Sequence, residues 1–212
     1  MSKALCCFAF ESLQNKVNHT TSTKIPLSTY FHQLSESSSN VPSSAPLFIT
    51  WNQNEKLRGC IGTFQAQPIE TGVKQYSLIA ALQDHRFYPI SKSELNSDLS
   101  VSVTLLDNFI PIESSEDWEI GLNGLKVSFD FEDQHYSGTF LPSVAEEEEW
   151  DKVTTLYYLL KKSDFNYVKK DKVLSFYAKG LKEGWMTLTR YDGLKSSLSY
   201  DDFVSIREDI NK

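Results

Sequence analysis

The 212 residues carry 21 lysines and arginines against 28 aspartates and glutamates, a net charge of −7, which opposes strong non-specific attraction to nucleic acid or to an anionic membrane surface. Hydrophobic residues make up 40% and aromatic residues 13%, with only 9 glycines and 7 prolines, so disordered and fibrous classes are excluded. The length suits a single domain, residues 1–212, able to bury a sizeable core.

Leu5, Phe8, Ala9, Leu13 and Val17 recur at steps of three and four and predict a helix near residues 3–18. The apolar run from Ala4 to Phe10 is stopped by Glu11 and lacks a small-residue cleavage site, so it does not read as a signal peptide. No apolar stretch reaches the roughly 18 to 20 residues of a membrane span, and a cytoplasmic or nuclear location is expected. A Ser-rich surface loop follows at about 20–46, in which Ser35 to Pro46 holds six serines and two prolines. Leu47 to Trp51, the polar turn Asn52 to Glu55 and Leu57 to Phe64 then predict a hairpin.

Ile69, Val73, Tyr76 and Ala80 follow helical steps, and that helix should end before Pro89, with His85-Arg86-Phe87 as its exit. Leu99 to Leu105 and Leu125 to Phe131 alternate apolar and polar residues and predict half-buried strands. A turn at 132–134 leads to a partner strand from His135 to Leu141, and helical spacing returns at Trp150, Val153, Tyr157 and Leu160. Two strands near Leu174–Ala178 and Trp185–Tyr191, and a helix opening near Ser199, complete an α+β chain without a βαβ rhythm.

The chemistry centres on Leu57-Arg-Gly-Cys-Ile-Gly62. Glycine weakens a strand interior, so Gly59 and Gly62 around one thiol predict a bulge, or a place where another backbone or a ligand comes close. Cys60 reads either as a nucleophile, activated if Arg58 converges on the thiol, or as a small buried apolar residue; the second reading predicts slow alkylation. Only four arginines are present, and Arg58, Arg86 and Arg190 each sit at an apolar segment. They read either as an anion-binding set or as holders of carboxylates such as Asp84, Asp117 or Glu147. The run Glu146 to Glu149 directly precedes a helix and reads as a solvated acidic patch rather than as a metal or acid–base cluster. Cys6, Cys7 and Cys60 build no disulfide framework or zinc spacing, and the four histidines are scattered, so neither metal nor cofactor is expected.

Six segments, in order and spacing, resemble the AMMECR domain family: Pro46 to Trp51, Leu57 to Phe64, Ala80 to Pro89, Ser100-Val-Ser-Val, Asp117 to Gly121 and Thr139 to Ala145. Cys7 to Leu13 and Leu188 to Tyr191 match as well. The resemblance implies a mainly antiparallel sheet with flanking helices in two closely packed lobes, in intracellular proteins whose biochemical activity is not established. Prokaryotic relatives stand beside Memo-like and radical SAM proteins, which implies an association with modification chemistry, including on nucleic acid. It carries function to Arg58, Gly59, Cys60 and Gly62. Many relatives have histidine where this chain has Asn123, and an amide cannot serve as a general base. Two functions are therefore expected as rivals. One is a module binding a small anionic ligand or a protein partner through Arg58, Gly59, Gly62, Arg86 and Arg190. The other is an enzyme or enzyme component with Cys60 as catalytic residue.

Overall fold

A computed structural model describes residues 2–19 and 24–210. The chain is α+β, with a six-stranded sheet and seven α-helices among the described residues. The strands are β1 (Ser44–Gln53), β2 (Lys56–Pro68), β3 (Leu99–Ile112), β4 (Asn123–Phe131), β5 (Gln134–Phe140) and β6 (Met186–Ser199). Their order is β2-β1-β3-β6-β4-β5, and β1 with β2, β1 with β3, β4 with β5 and β4 with β6 are antiparallel. The helices are α1 (Lys3–Val17), α2 (Leu27–Gln33), α3 (Ile69–Leu82), α4 (Pro142–Glu147), α5 (Lys152–Lys162), α6 (Val173–Glu183) and α7 (Tyr200–Ile210). None is long and apolar enough to cross a membrane.

The chain divides into two compact units, one of residues 1–106 with 194–212 and one of residues 107–193. In the first, Leu47, Ile49 and Trp51 of β1 point every second side chain into a core shared with α1, and all three are fully buried. Phe10 of α1 meets the Trp51 ring edge-on and stacks on Phe203 of α7, both at 5.1 Å. Trp51 donates its indole N–H to the Ser77 carbonyl of α3 at 3.0 Å, which satisfies the one polar atom its burial would orphan. In the second unit, Phe129, Tyr136, Phe165 and Phe176 form an aromatic core.

The segment expected as a Ser-rich loop is more ordered than its composition suggests; residues 20–23 lie outside the described residues. Leu27, Tyr30 and Phe31 take one face of α2, three and four residues apart, and are buried. Beyond them, Ser2 and the Lys3 backbone N–H both donate to the Glu36 carboxylate, at 2.6 and 2.9 Å. Glu36 thus supplies the N-terminus of α1 with the acceptor that its own residues lack.

Two other expectations are corrected. Leu174–Ala178 is part of helix α6, because the residues that bury are Val173, Tyr177 and Gly180, at helical steps, while Leu174 is exposed. Glu146 and Glu147 end the short helix α4, and the acid that opens the next helix is Asp151, whose carboxylate accepts from Thr154 N–H at 2.7 Å. The glutamates themselves are exposed, as expected.

Candidate functional site

Leu57 to Gly62 lies on β2, the outer strand of the sheet beside β1. Register is even from Gly59 opposite Trp51 through Cys60 opposite Thr50 to Gly62 opposite Phe48. It breaks where Asn52 pairs with Leu57, which leaves Arg58 as one extra residue, a β-bulge directly before Gly59. Gly59 faces the Trp51 side of the sheet, and a Cβ there would collide with the Ala80 carbonyl of α3. Both features expected of the paired glycines, a bulge and a close backbone, are therefore present at Gly59. A Cβ on Gly62 would strike the Phe48 ring and the Leu47 carbonyl.

Cys60 faces away from that core, with Thr50 and Phe48, and is half-buried. Thr50 Oγ1 donates to its sulfur at 3.2 Å. Thr50 is in register with Ser102 of β3, and Ser102 shares a hydrogen bond of 2.8 Å with Ser197 of β6. A thiol and three hydroxyls thus run across one sheet face, each from the neighbouring strand. The expectation of a sealed apolar cysteine fits Cys6 and Cys7, which are fully buried, and not Cys60. Burial pushes the Cys6 thiol up to about 12.

The backbone of Cys60 turns toward the open edge, as expected for a position between ladder bonds. Its N–H donates to Asp84 Oδ2 at 2.9 Å, and its carbonyl accepts from Arg86 Nη2 at 3.0 Å. Asp84 and Arg86 in turn form a two-point pair, Nε to Oδ1 at 2.9 Å and Nη2 to Oδ2 at 2.7 Å. Asp84 is 4% exposed at its side chain and Arg86 is 55% exposed. The guanidinium beside Asp84, helped by two backbone N–H donors, holds its carboxyl well below the usual carboxylate range despite burial.

Arg58 does not converge on the thiol. The bulge sends it to Glu94, Nε to Oε1 at 2.8 Å, and to the Tyr88 carbonyl, Nη1 to O at 2.7 Å. Burial works against the Glu94 charge, but hydrogen bonds from Arg58 and Ser91 outweigh it and its pKa is lowered. Arg190 is in the second unit and binds the Asp117 carboxylate at 2.6 Å and its carbonyl at 2.9 Å. All three arginines expected at an anion site hold carboxylates, two of them the Asp84 and Asp117 that the sequence offered as structural partners. Asn123, at the position where histidine was expected in relatives, donates to Asp192 at 2.9 Å and accepts from Glu119 N–H at 2.9 Å.

Sequence reasoning missed Glu94, Thr50 and Tyr88. Tyr88 is 90% exposed and Leu57 is 43% exposed, and Arg86 lies over the neighbouring Phe87 ring at 5.4 Å. The one available signal was the aromatic pair Phe87-Tyr88 ahead of Pro89. Among the described residues, no group of three His, Cys, Asp or Glu side chains could hold a metal.

The AMMECR1 family model matches residues 6–179. An uncharacterized protein of Kluyveromyces lactis is 40% identical over 175 residues, 75% of this chain and 74% of the relative. An uncharacterized protein of Saccharomyces cerevisiae is 33% identical over 233 residues, 99% of this chain and 90% of the relative. The crystal structure of an uncharacterized protein from Pyrococcus horikoshii shares the fold, with a TM-score of 0.67 at 20% identity over 91% of this chain and 89% of that one.

Proposed function

Given that the chain belongs to the AMMECR1 family, we propose that the β2 edge and residues 84–90 together bind a protein partner. The observation that carries this reading is Tyr88. Its ring is 90% exposed, yet its backbone carbonyl is clamped by Arg58 and its segment is tied to β2 through Asp84 and Arg86. A rigidly held, exposed tyrosine beside arginine and exposed Leu57 has the composition of an interaction hot spot. Because the guanidiniums are engaged with carboxylates, the arginines act here as a scaffold, and the small anionic ligand is the weaker form of the proposal. We also propose a cytoplasmic or nuclear setting, which the three free thiols support.

The test is a photoreactive phenylalanine analogue at position 88, compared with the same probe at Tyr167, which is also exposed. Binding predicts a discrete crosslinked protein from position 88 alone, lost when Leu57 is changed to Ser. Equal crosslinking from both positions defeats the reading.

A second reading, an enzyme using Cys60, is favoured by the Thr50 hydrogen bond to the sulfur and the hydroxyl row beside it. The Thr50 hydroxyl holds the sulfur in place on a half-buried face that a small electrophile can reach. The enzyme reading requires Cys60 to outpace a free thiol toward a small electrophile and Thr50→Val to slow it.

A further inference from the structure

A concave site lies in the first unit, built by elements other than the Leu57–Gly62 strand. It is a cavity of about 710 Å³ between α1, α3 and the segment 24–26 that leads into α2. That volume falls in the range of small-molecule sites. Its apolar floor is formed by Phe8, Ile25 and Leu78, the first two buried. Each helix contributes one stripe: Phe8, Ser12, Asn15 and Lys16 from α1, and Glu70, Thr71, Lys74 and Leu78 from α3.

The lining of this cavity is cationic on balance. Lys16, Lys24 and Lys74 stand at its walls, and among the described residues none of them has a carboxylate within ion-pair distance. Two acids also line it. Glu11 is buried and spent internally: its carboxylate accepts from Arg207 Nε at 2.8 Å, Tyr30 Oη at 2.9 Å, Asn15 Nδ2 at 2.8 Å and Ile25 N–H at 3.3 Å. Burial opposes its charge, but these donors, Arg207 above all, keep its pKa lowered. Glu70 alone is left to offset three lysines. A cationic rim over an apolar floor, on a chain of net charge −7, is a local departure from the background field.

We propose that this cavity binds an amphiphilic anion, a molecule with an apolar body and a carboxylate or phosphate head. The body would lie on Phe8, Ile25 and Leu78, and the head would reach Lys16, Lys24 or Lys74. The Glu11 network fixes the floor, because it joins α1, the segment before α2, and α7 through one buried carboxylate. The lysine stems can cover apolar ligand surface while their ammonium groups stay hydrated.

The experiment uses the full chain and two probes of equal length and opposite charge, decanoate and decylamine, followed by ligand-observed NMR. Decanoate is expected to bind at least ten times more tightly than decylamine. Lys74→Glu should weaken decanoate about tenfold, and Thr71→Trp, at an exposed position on the α3 stripe, should block it sterically with the charge unchanged. Tyr88→Ala should leave it unaffected, which separates this site from the proposed partner surface. Melting curves of each variant confirm that the fold is retained. Absence of decanoate binding at about millimolar concentration overturns the proposal, as does equal binding of decylamine or indifference to both cavity variants. Sedimentation with phosphatidylglycerol vesicles addresses a lipid source: capture by vesicles without binding of free decanoate also overturns it.

Discussion

Asp84 accepts the backbone N–H of Cys60 at 2.9 Å while its own partner Arg86 donates to the Cys60 carbonyl at 3.0 Å. One ion pair thereby supplies an acceptor and a donor where a neighbouring strand would have supplied both. An outer strand leaves such groups open to pairing with other chains, and here the pair closes the edge at the residue that carries the thiol.

The first consequence concerns stability. Replacing Arg86 with Ala should destabilise the protein by about 1–3 kcal/mol, since Asp84 stays buried without its main partner. The larger values measured for buried pairs do not apply, because Arg86 is more than half exposed and solvent screens the pair. Arg86→Lys should recover part of the loss, as lysine keeps the charge but not the two-point geometry. Denaturant melts of the three proteins check the order.

Acid sensitivity follows from the same carboxyl. Asp84 titrates lower in the fold than in the unfolded chain, chiefly through Arg86. Its contribution is therefore complete above the ordinary aspartate value of about 3.9 and is lost as pH falls through the folded value. Asp84→Asn should be less stable than the parent at pH 7 and should lose less on further acidification below about pH 4. Melting temperatures at pH 7, 4, 3 and 2.5 test this, and parallel curves for the two proteins would refute it.

Gly59→Ala should cost about 1–3 kcal/mol or more, because the added methyl meets a helix backbone carbonyl, which cannot rotate aside as a side chain would. Gly184→Ala is a useful contrast. Nothing lies within 4 Å of its would-be Cβ, and the cost there, about 1 kcal/mol, comes from its left-handed φ of 77°. Equilibrium unfolding that ranked the two substitutions in reverse would contradict the packing at β2.

Among the thiols, Cys60 should be alkylated well before Cys6 and Cys7. It is half-buried, whereas both others are fully buried and their burial favours the neutral thiol. Mass spectrometry after brief iodoacetamide treatment reads the order directly. Comparison with a free-cysteine peptide then weighs the enzyme reading, which needs Cys60 to be the faster of the two.

The sequence by itself determined most of the elements, because their patterns are local. The alternation of Leu99, Val101, Val103 and Leu105 and the helical spacing of Leu5, Phe8, Ala9 and Leu13 appear as β3 and α1. Gly59 also announced its bulge and its close neighbour, since only a residue without a side chain fits there. What only the tertiary structure decided is the assignment of partners across distance. Arg58 meets Glu94 and not Cys60, because the bulge turns its side chain to residues that the chain reaches only after α3. Cys60 meets Thr50 because strand register, set by the whole hairpin, puts both on one face. Glu36 and Glu11 become a helix cap and a buried junction only once chain segments remote in sequence are brought to them. Pairings of this kind depend on which groups lose their water together, a property of packed segments that no single window of residues contains.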